Sequence, residues 1–440
     1  MRLNDNIVAV STPAGVGGIA VVRVSGADAL TLALRHLSID KLEARHATYC
    51  RFDEIDDVVA TWFPRGYSGE PTVEIACHGS RYVQHAIVQT LTDYGARLAD
   101  PGEYTLRAFR NGRLDLSQAE AVADLIDAAT PQQHRLAVSQ LRGGYAQELE
   151  LLRKEMVDLA SLLELELDFS EEDLEFADRQ KLKDAIDRLD RKITKLIGSF
   201  KNGNALKNGI PVAIVGRPNS GKSTLLNTLL NDDRAMVSDV PGTTRDTIEE
   251  TLTLDGLTFR FIDTAGLRCS IDPLETMGIE RTMKAVEKAR IILLLHDIQV
   301  PFNEFLADIE TLKAKCDTTD KTILLIHNKL DLGEPDTEQG ISISAQCGDG
   351  IDELKQMLVQ TVHETMMTDD VLLTNARHYE ELKAVKEALS KVNEGLTAQI
   401  PADLMAVDLR DALDHLGAIT GETTSNELLS NIFSRFCVGK

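Results

Sequence analysis

Residues 216–224 read GRPNSGKST and satisfy the pattern G-x-x-x-x-G-K-[ST], between an apolar run at 211–215 and the leucine-rich segment TLLNTLLN. Glycines at these spacings let backbone N–H groups turn toward phosphate oxygens, and a helix starting at the lysine adds positive partial charge. Lys222 can reach the β- and γ-phosphates and Ser223 can ligate magnesium, with Asn219, Ser220, Gly221 and Thr224 completing the loop. Asp263-Thr264-Ala265-Gly266 ends the apolar run FRFI, where an acid can hold the magnesium shell and a glycine amide can sense the γ-phosphate. Asn328-Lys329-Leu330-Asp331 follows another apolar run. A carboxylate accepts two hydrogen bonds at once, and guanine offers the matching ring N–H and amine where adenine does not. Asp331 therefore selects guanine, Asn328 bonds the base or its loop, and Ser344-Ala345 closes the pocket. The segment GTTRD at 242–246 lies where a switch loop belongs, with Thr244 the candidate magnesium cap.

The site raises a question of its own. Many switch GTPases orient the attacking water with a glutamine after the D-x-x-G glycine. Here that residue is Leu267, which neither donates nor accepts, so the function passes to another group; Asp272, Glu275 and Glu280 follow within LRCSIDPLETMGIER. Charge stabilisation is the second gap. A monovalent cation near the phosphates can supply it, and the Asn219 carbonyl oxygen suits a hard cation.

These groups need a scaffold. From residue 209 short apolar runs alternate with helical segments (PVAIVG, FRFIDTAG, IILLLHD, ILLIHNK, ISISA), the rhythm of a mostly parallel sheet, ending in a helix over 351–363. Before it, residues 1–116 read as mixed α/β, with strands at 7–10, 19–24 and 73–76 and a helix over 81–94. Residues 117–208 are helical, with stripes Leu152/Met156/Leu159/Leu163 and Leu182/Ile186/Leu189/Ile193/Leu196. Residues 366–440 carry two more, Leu382 to Leu396 closed by Gly395 and Met405 to Leu416 closed by Gly417. Both flanks need burial, so they are expected to form one discontinuous helical domain with the P-loop unit at 209–365 inserted in it.

Composition bounds the partners. The 440 residues carry 70 acidic and 47 basic side chains, a net charge of −23. This argues against autonomous, non-specific nucleic-acid binding, which needs Lys and Arg on phosphates. The six cysteines form no C-x-x-C, fitting reduced cytosolic thiols and a cytoplasmic location, and no apolar run reaches a membrane span. The GVGG turn near Gly15 precedes a strand rather than a helix and is no dinucleotide fingerprint. His78 and Cys437 read as structural residues rather than catalysts.

Three stretches outside the generic motifs closely resemble the MnmE (TrmE) family of tRNA-modifying GTPases: IVAVSTPAGVGGIAVVRVSG, PGEYTLRAFRNGRLDLSQAEAVADLI and the tail FCVGK. The resemblance spans essentially the whole chain. It implies an N-terminal α/β domain that dimerises and binds 5-formyl- or methylene-tetrahydrofolate, a discontinuous helical domain, and an inserted Ras-like P-loop GTPase domain. It implies a homodimer working with an FAD-containing MnmG-type partner to install an aminomethyl or carboxymethylaminomethyl group on C5 of the wobble uridine of certain tRNAs. By the same resemblance Asn219, Ser238, Val240 and Thr243 hold potassium, Ser223 and Thr244 hold magnesium, and Glu275 orients the water. Arg23, Glu74, Arg113 and Lys440 contact the folate, with Arg113 standing where the family usually has lysine. The rival readings are a GTP-dependent ribosome-assembly or signalling switch, and a nucleotide-gated scaffold, neither with small-molecule chemistry.

Overall fold

The structure, a computed structural model, describes residues 5–169, 179–231, 250–262, 283–335, 337, 339–366, 372–398 and 400–439. The chain is a multidomain protein of mixed α/β and all-α parts and divides into two compact units. One comprises residues 1–127, 137–191 and 381–440; the other comprises 128–136 and 192–380.

The first unit opens with a six-stranded sheet: β1 (Asn6–Val10), β2 (Ile19–Ser25), β3 (Ala47–Phe52), β4 (Asp56–Phe63), β5 (Thr72–His78) and β6 (Ala96–Leu98). Their order is β3-β4-β5-β2-β1-β6, antiparallel except for β1 beside β6. Period-two alternation sends Val22 and Val24 of β2 and Val73, Ile75 and Cys77 of β5 into a core with Ile87 and Leu91 of the helix Arg81–Asp93. The same alternation turns Arg23 and Glu74, direct register partners, to the opposite face. Strands β3, β4 and β6 lie beyond the three expected from the sequence.

Arg107, in the helix Glu103–Arg110, is 1% exposed and pairs with Asp5 Oδ1 at 2.7 Å, Glu103 Oε1 at 2.9 Å and Glu70 Oε2 at 3.2 Å. Arg97 binds Glu103 and Asp5 from the other side. Burial pushes the Glu103 carboxyl up, but hydrogen bonds from Arg97, the Asp100 amide and Arg107 reverse this and hold it below its ordinary value. A carboxyl so lowered stabilises the fold above its unfolded titration range, and the contribution disappears as pH falls through the lowered folded value. Arg107→Ala strands Glu103 in the interior. It is expected to cost about 3–5 kcal/mol at neutral pH, read as a lower urea midpoint, with the difference from wild type shrinking in acid. An unchanged midpoint would mean that the network is not a fastening.

The apolar stripes of the long helices Gly144–Phe169, Arg179–Asn208, Ala376–Thr397 and Ala402–Thr420 are buried as expected. Two glycines behave differently from the expectation. Gly395 and Gly417 lie inside their helices, where a Cβ would meet Met405 Cγ at 2.9 Å and Thr423 Oγ1 at 2.8 Å, so they serve close approach. The second helix is closed by Gly421 at φ +94°, whose N–H bonds the Gly417 carbonyl.

The second unit holds β7 (Ile210–Gly216), β8 (Glu250–Leu254), β9 (Leu257–Phe261), β10 (Ile291–Asp297), β11 (Thr322–Asn328) and β12 (Ile341–Ile343), ordered β12-β11-β10-β7-β9-β8. All neighbours are parallel except β8 beside β9. Phosphate and base motifs sit at the carboxyl ends of β7 and β11, where open α/β sheets bind ligands.

Candidate functional site

Strand β7 delivers the chain to the phosphate loop, and the helix Lys222–Asn231 departs from it. Asn219 and Gly221 take left-handed φ values of +63° and +97°, which turn the loop inward. A Cβ at Gly221 would strike the amide nitrogen of Asn328, so only glycine fits there. Lys222 Nζ donates to the carbonyls of Gly216 at 2.9 Å and Arg217 at 2.8 Å, folded over the loop. Burial pushes its ammonium down from the usual lysine value. A buried ammonium held only by neutral carbonyls is a cation that gains by meeting phosphate. Ser220 Oγ is buried with no hydrogen-bond partner, and Ser223 is half-buried in the helix's first turn.

Asn328 is buried and joins two loops. Its Nδ2 donates to the Ser220 carbonyl at 2.8 Å and its Oδ1 accepts from the Ala345 N–H at 2.9 Å. It is therefore the strut between the phosphate loop and the Ser344-Ala345 turn. Asp331 is exposed, with Oδ1 accepting from Ser344 Oγ at 2.6 Å, so the serine aims a carboxylate whose remaining lone pairs are free to face a base. Lys329, at φ +74°, reaches back to Asp297 Oδ2. Thr228 Oγ1 donates to the Ala345 carbonyl at 2.7 Å. Asn219, Ser220, Gly221, Lys222, Ser223, Thr224, Asn328, Lys329, Asp331, Ser344 and Ala345 thus belong to one rim of one unit. Ser238, Val240, Thr243, Thr244, Asp263, Thr264, Ala265, Gly266 and Glu275 lie outside the described residues.

Two features of this rim were not read from the sequence. Asp297, at the end of β10, anchors Lys329. Arg217, an unspecified position of the loop pattern, is gripped by Asp308 at 2.6 Å and Glu304 at 2.8 Å from the helix Phe302–Lys315. Both acids are one turn apart, the only trace such a clamp leaves in sequence.

A second polar cluster lies on the outer face of the N-terminal sheet. Arg23 pairs with Glu74 at 2.8 Å and stands over the rings of Tyr67 and Tyr104, with centroids 5.6 and 5.5 Å away. Tyr104 Oη donates to the Arg23 carbonyl at 2.7 Å. The backbone carbonyl of Gly439 accepts from Ser11 Oγ at 3.2 Å and lies 3.5 Å from the Arg23 guanidinium. The structure thus brings Arg23 and Glu74 together with the residue preceding Lys440, which is itself outside the described residues. Arg113 instead donates to the carbonyls of Arg65 and Gly66 at 3.3 and 2.9 Å. The two tyrosines and Ser11 were missed by sequence reading, because only folding aligns them with Arg23. Among the described residues no cluster of three or more metal-type side chains occurs, and no helix is long and apolar enough to cross a membrane.

Comparison with known proteins covers both units. Residues 6–113 match the family description "GTP-binding protein TrmE N-terminus" and residues 116–437 match "MnmE helical domain". The chain is 45% identical over 476 aligned residues to the tRNA modification GTPase MnmE of Christiangramia forsetii, with 100% of each chain covered. It is 46% identical to the protein of the same name from Parabacteroides distasonis, covering 99% of this chain and 100% of that one. It is 45% identical to that of Cytophaga hutchinsonii, covering 99% and 98%.

Proposed function

Because the chain belongs to the MnmE family of tRNA modification GTPases, we propose that its GTP hydrolysis depends on potassium and drives a folate-fed modification of the wobble uridine. GTP hydrolysis in tRNA modification is the family's activity and this chain's. In the finer reading, the chain acts in the cytoplasm as a homodimer with an FAD-containing MnmG-type partner. Together they add an aminomethyl or carboxymethylaminomethyl group to C5 of the uridine, using a tetrahydrofolate one-carbon unit.

The observation that carries the nucleotide half is the Asn328 strut, which sets phosphate loop and base loop at one fixed separation. Lys222, bonded to loop carbonyls, swings its ammonium onto the β- and γ-phosphates. Ser223 and Thr244 hold magnesium, backed by Asp263, and the metal neutralises charge on the bridging phosphate oxygens. Asn219, Ser238, Val240 and Thr243 hold potassium where other switches place an arginine. Potassium replaced by sodium at equal ionic strength is expected to slow hydrolysis by roughly 10²-fold, the weight of one electrostatic stabiliser. Equal rates would remove Asn219 from that role.

The folate half is supported by the Arg23–Glu74 pair between two tyrosine rings. Flat aromatic walls with one fixed cation and one fixed anion suit a planar, multiply hydrogen-bonding pterin with an acidic tail. Titration of the full chain with 5-formyl-tetrahydrofolate is expected to saturate. Arg23→Ala is expected to weaken binding roughly tenfold to a hundredfold, one charge-assisted hydrogen bond. Deleting Lys440 is expected to weaken it too. Indifference to both changes would move the folate elsewhere.

A further inference from the structure

His296 and His327 are direct register partners at the ends of β10 and β11, and are 2% and 1% exposed. Their Nδ1 atoms face each other at 2.9 Å. His296 Nε2 lies 2.8 Å from the Val300 carbonyl, and His327 Nε2 meets the Gln339 carbonyl. Carbonyl oxygens only accept, so each Nε2 carries a proton. Turning either ring over would point carbon at its carbonyl. Two neutral rings in these tautomers would aim bare Nδ1 lone pairs at one another across a hydrogen-bond distance. Two fully protonated rings would aim N–H at N–H. Three protons on four nitrogens satisfy every contact.

We propose that His296 and His327 share a single extra proton between their Nδ1 atoms, and that this bridged pair is a positioning device for the guanine pocket. The charge is held without a carboxylate. Three N–H groups all meet acceptors, and the His296 ring stacks on Phe305 with centroids 4.5 Å apart. The charged groups nearby are already matched: Arg217 with Glu304 and Asp308, and Asp297 with Lys329.

The location gives the pair its role. The next register partners along the same two strands are Asp297 and Asn328. Asp297 holds Lys329, and Asn328 is the strut between phosphate and base loops. Through Gln339 the pair also grips the entry to β12, which leads to Ser344 and Ala345. Three segments that carry the base pocket are knitted by three hydrogen bonds. Without the extra proton one of the three must break, because two protons cannot fill three N–H positions.

The role rests on the guanine pocket proposed above, so the test reads proton and pocket separately. In the full chain labelled with ¹⁵N-histidine, long-range ¹H–¹⁵N spectra at neutral pH are expected to show one strongly downfield proton correlated with Nδ1 of both rings. Two neutral Nε2–H rings with no bridging proton would overturn the proposal, whatever the nucleotide affinity. His296→Phe keeps the aromatic stack and removes the bridge. It is expected to abolish the downfield signal and weaken fluorescent GDP binding about tenfold, while kcat at saturating GTP stays within about twofold. His296→Gln keeps a donor for Val300 and is expected to do the same, which covers a misfolded phenylalanine variant. Unchanged affinity in either folded variant would overturn the positioning role. A wild-type chain that shows the bridge yet binds no guanine nucleotide would sink the pocket reading and the positioning role with it, leaving only the shared proton.

Discussion

Asp331→Asn is expected to lower GTP affinity by about 10⁴-fold, because a site built to bond a particular polar edge rejects one it leaves unpaired by that order. The carboxylate is aimed by Ser344 Oγ at 2.6 Å and takes two N–H donors from guanine. Asparagine presents an N–H₂ where the base amine needs an acceptor. The same substitution replaces that clash with a good bond when the base carries oxygen at position 2, so xanthosine triphosphate is expected to bind the variant better than GTP does. Competition binding with GTP, ATP and xanthosine triphosphate reads the exchange directly. A GTP affinity within about tenfold of wild type, with no gain for xanthosine, would show that Asp331 does not read the base.

Glu275→Ala carries the second large effect. With Leu267 in the usual water-orienting position, no side chain beside the D-x-x-G glycine can hold the nucleophile. An acid brought from elsewhere then works only in the transition state, and its loss is expected to lower kcat by about 10²–10⁴-fold with GTP affinity within about twofold. Single-turnover hydrolysis beside equilibrium binding separates the two quantities. Glu275→Gln keeps an acceptor oxygen and is expected to recover part of the rate if orientation is the role. Loss of affinity at unchanged turnover would assign Glu275 to binding instead.

The nucleotide rim was legible because its chemistry is local. The phosphate loop, Asn328 and Asp331 each sit beside an apolar strand, and a few residues of pattern suffice to place them. What joins them is not local. The Asn328 contacts with Ser220 and Ala345, the Arg217 clamp and the histidine bridge all pair residues tens of positions apart, and no periodicity encodes a contact across strands. The fold shows the same division. Long stripes such as Leu182 to Leu196 declared their helices, since one face must be buried. The strands Ala47–Phe52 and Asp56–Phe63 escaped because one of their faces is open and polar, which blurs the apolar signal. Gly395 and Gly417 misled because a glycine that permits close packing looks the same in sequence as one that ends a helix.

The hydrogen bond from Ser11 to the Gly439 carbonyl spans 428 positions of chain. During synthesis the N-terminal sheet can assemble as soon as its strands emerge, since they all lie before residue 99. Its polar cluster cannot, because Arg23 acquires its Gly439 neighbour only after nearly every codon has been read. A nascent or prematurely truncated polypeptide therefore carries a folded sheet with an unfinished cluster. The folate proposed to sit there would then report on translation that has run its course.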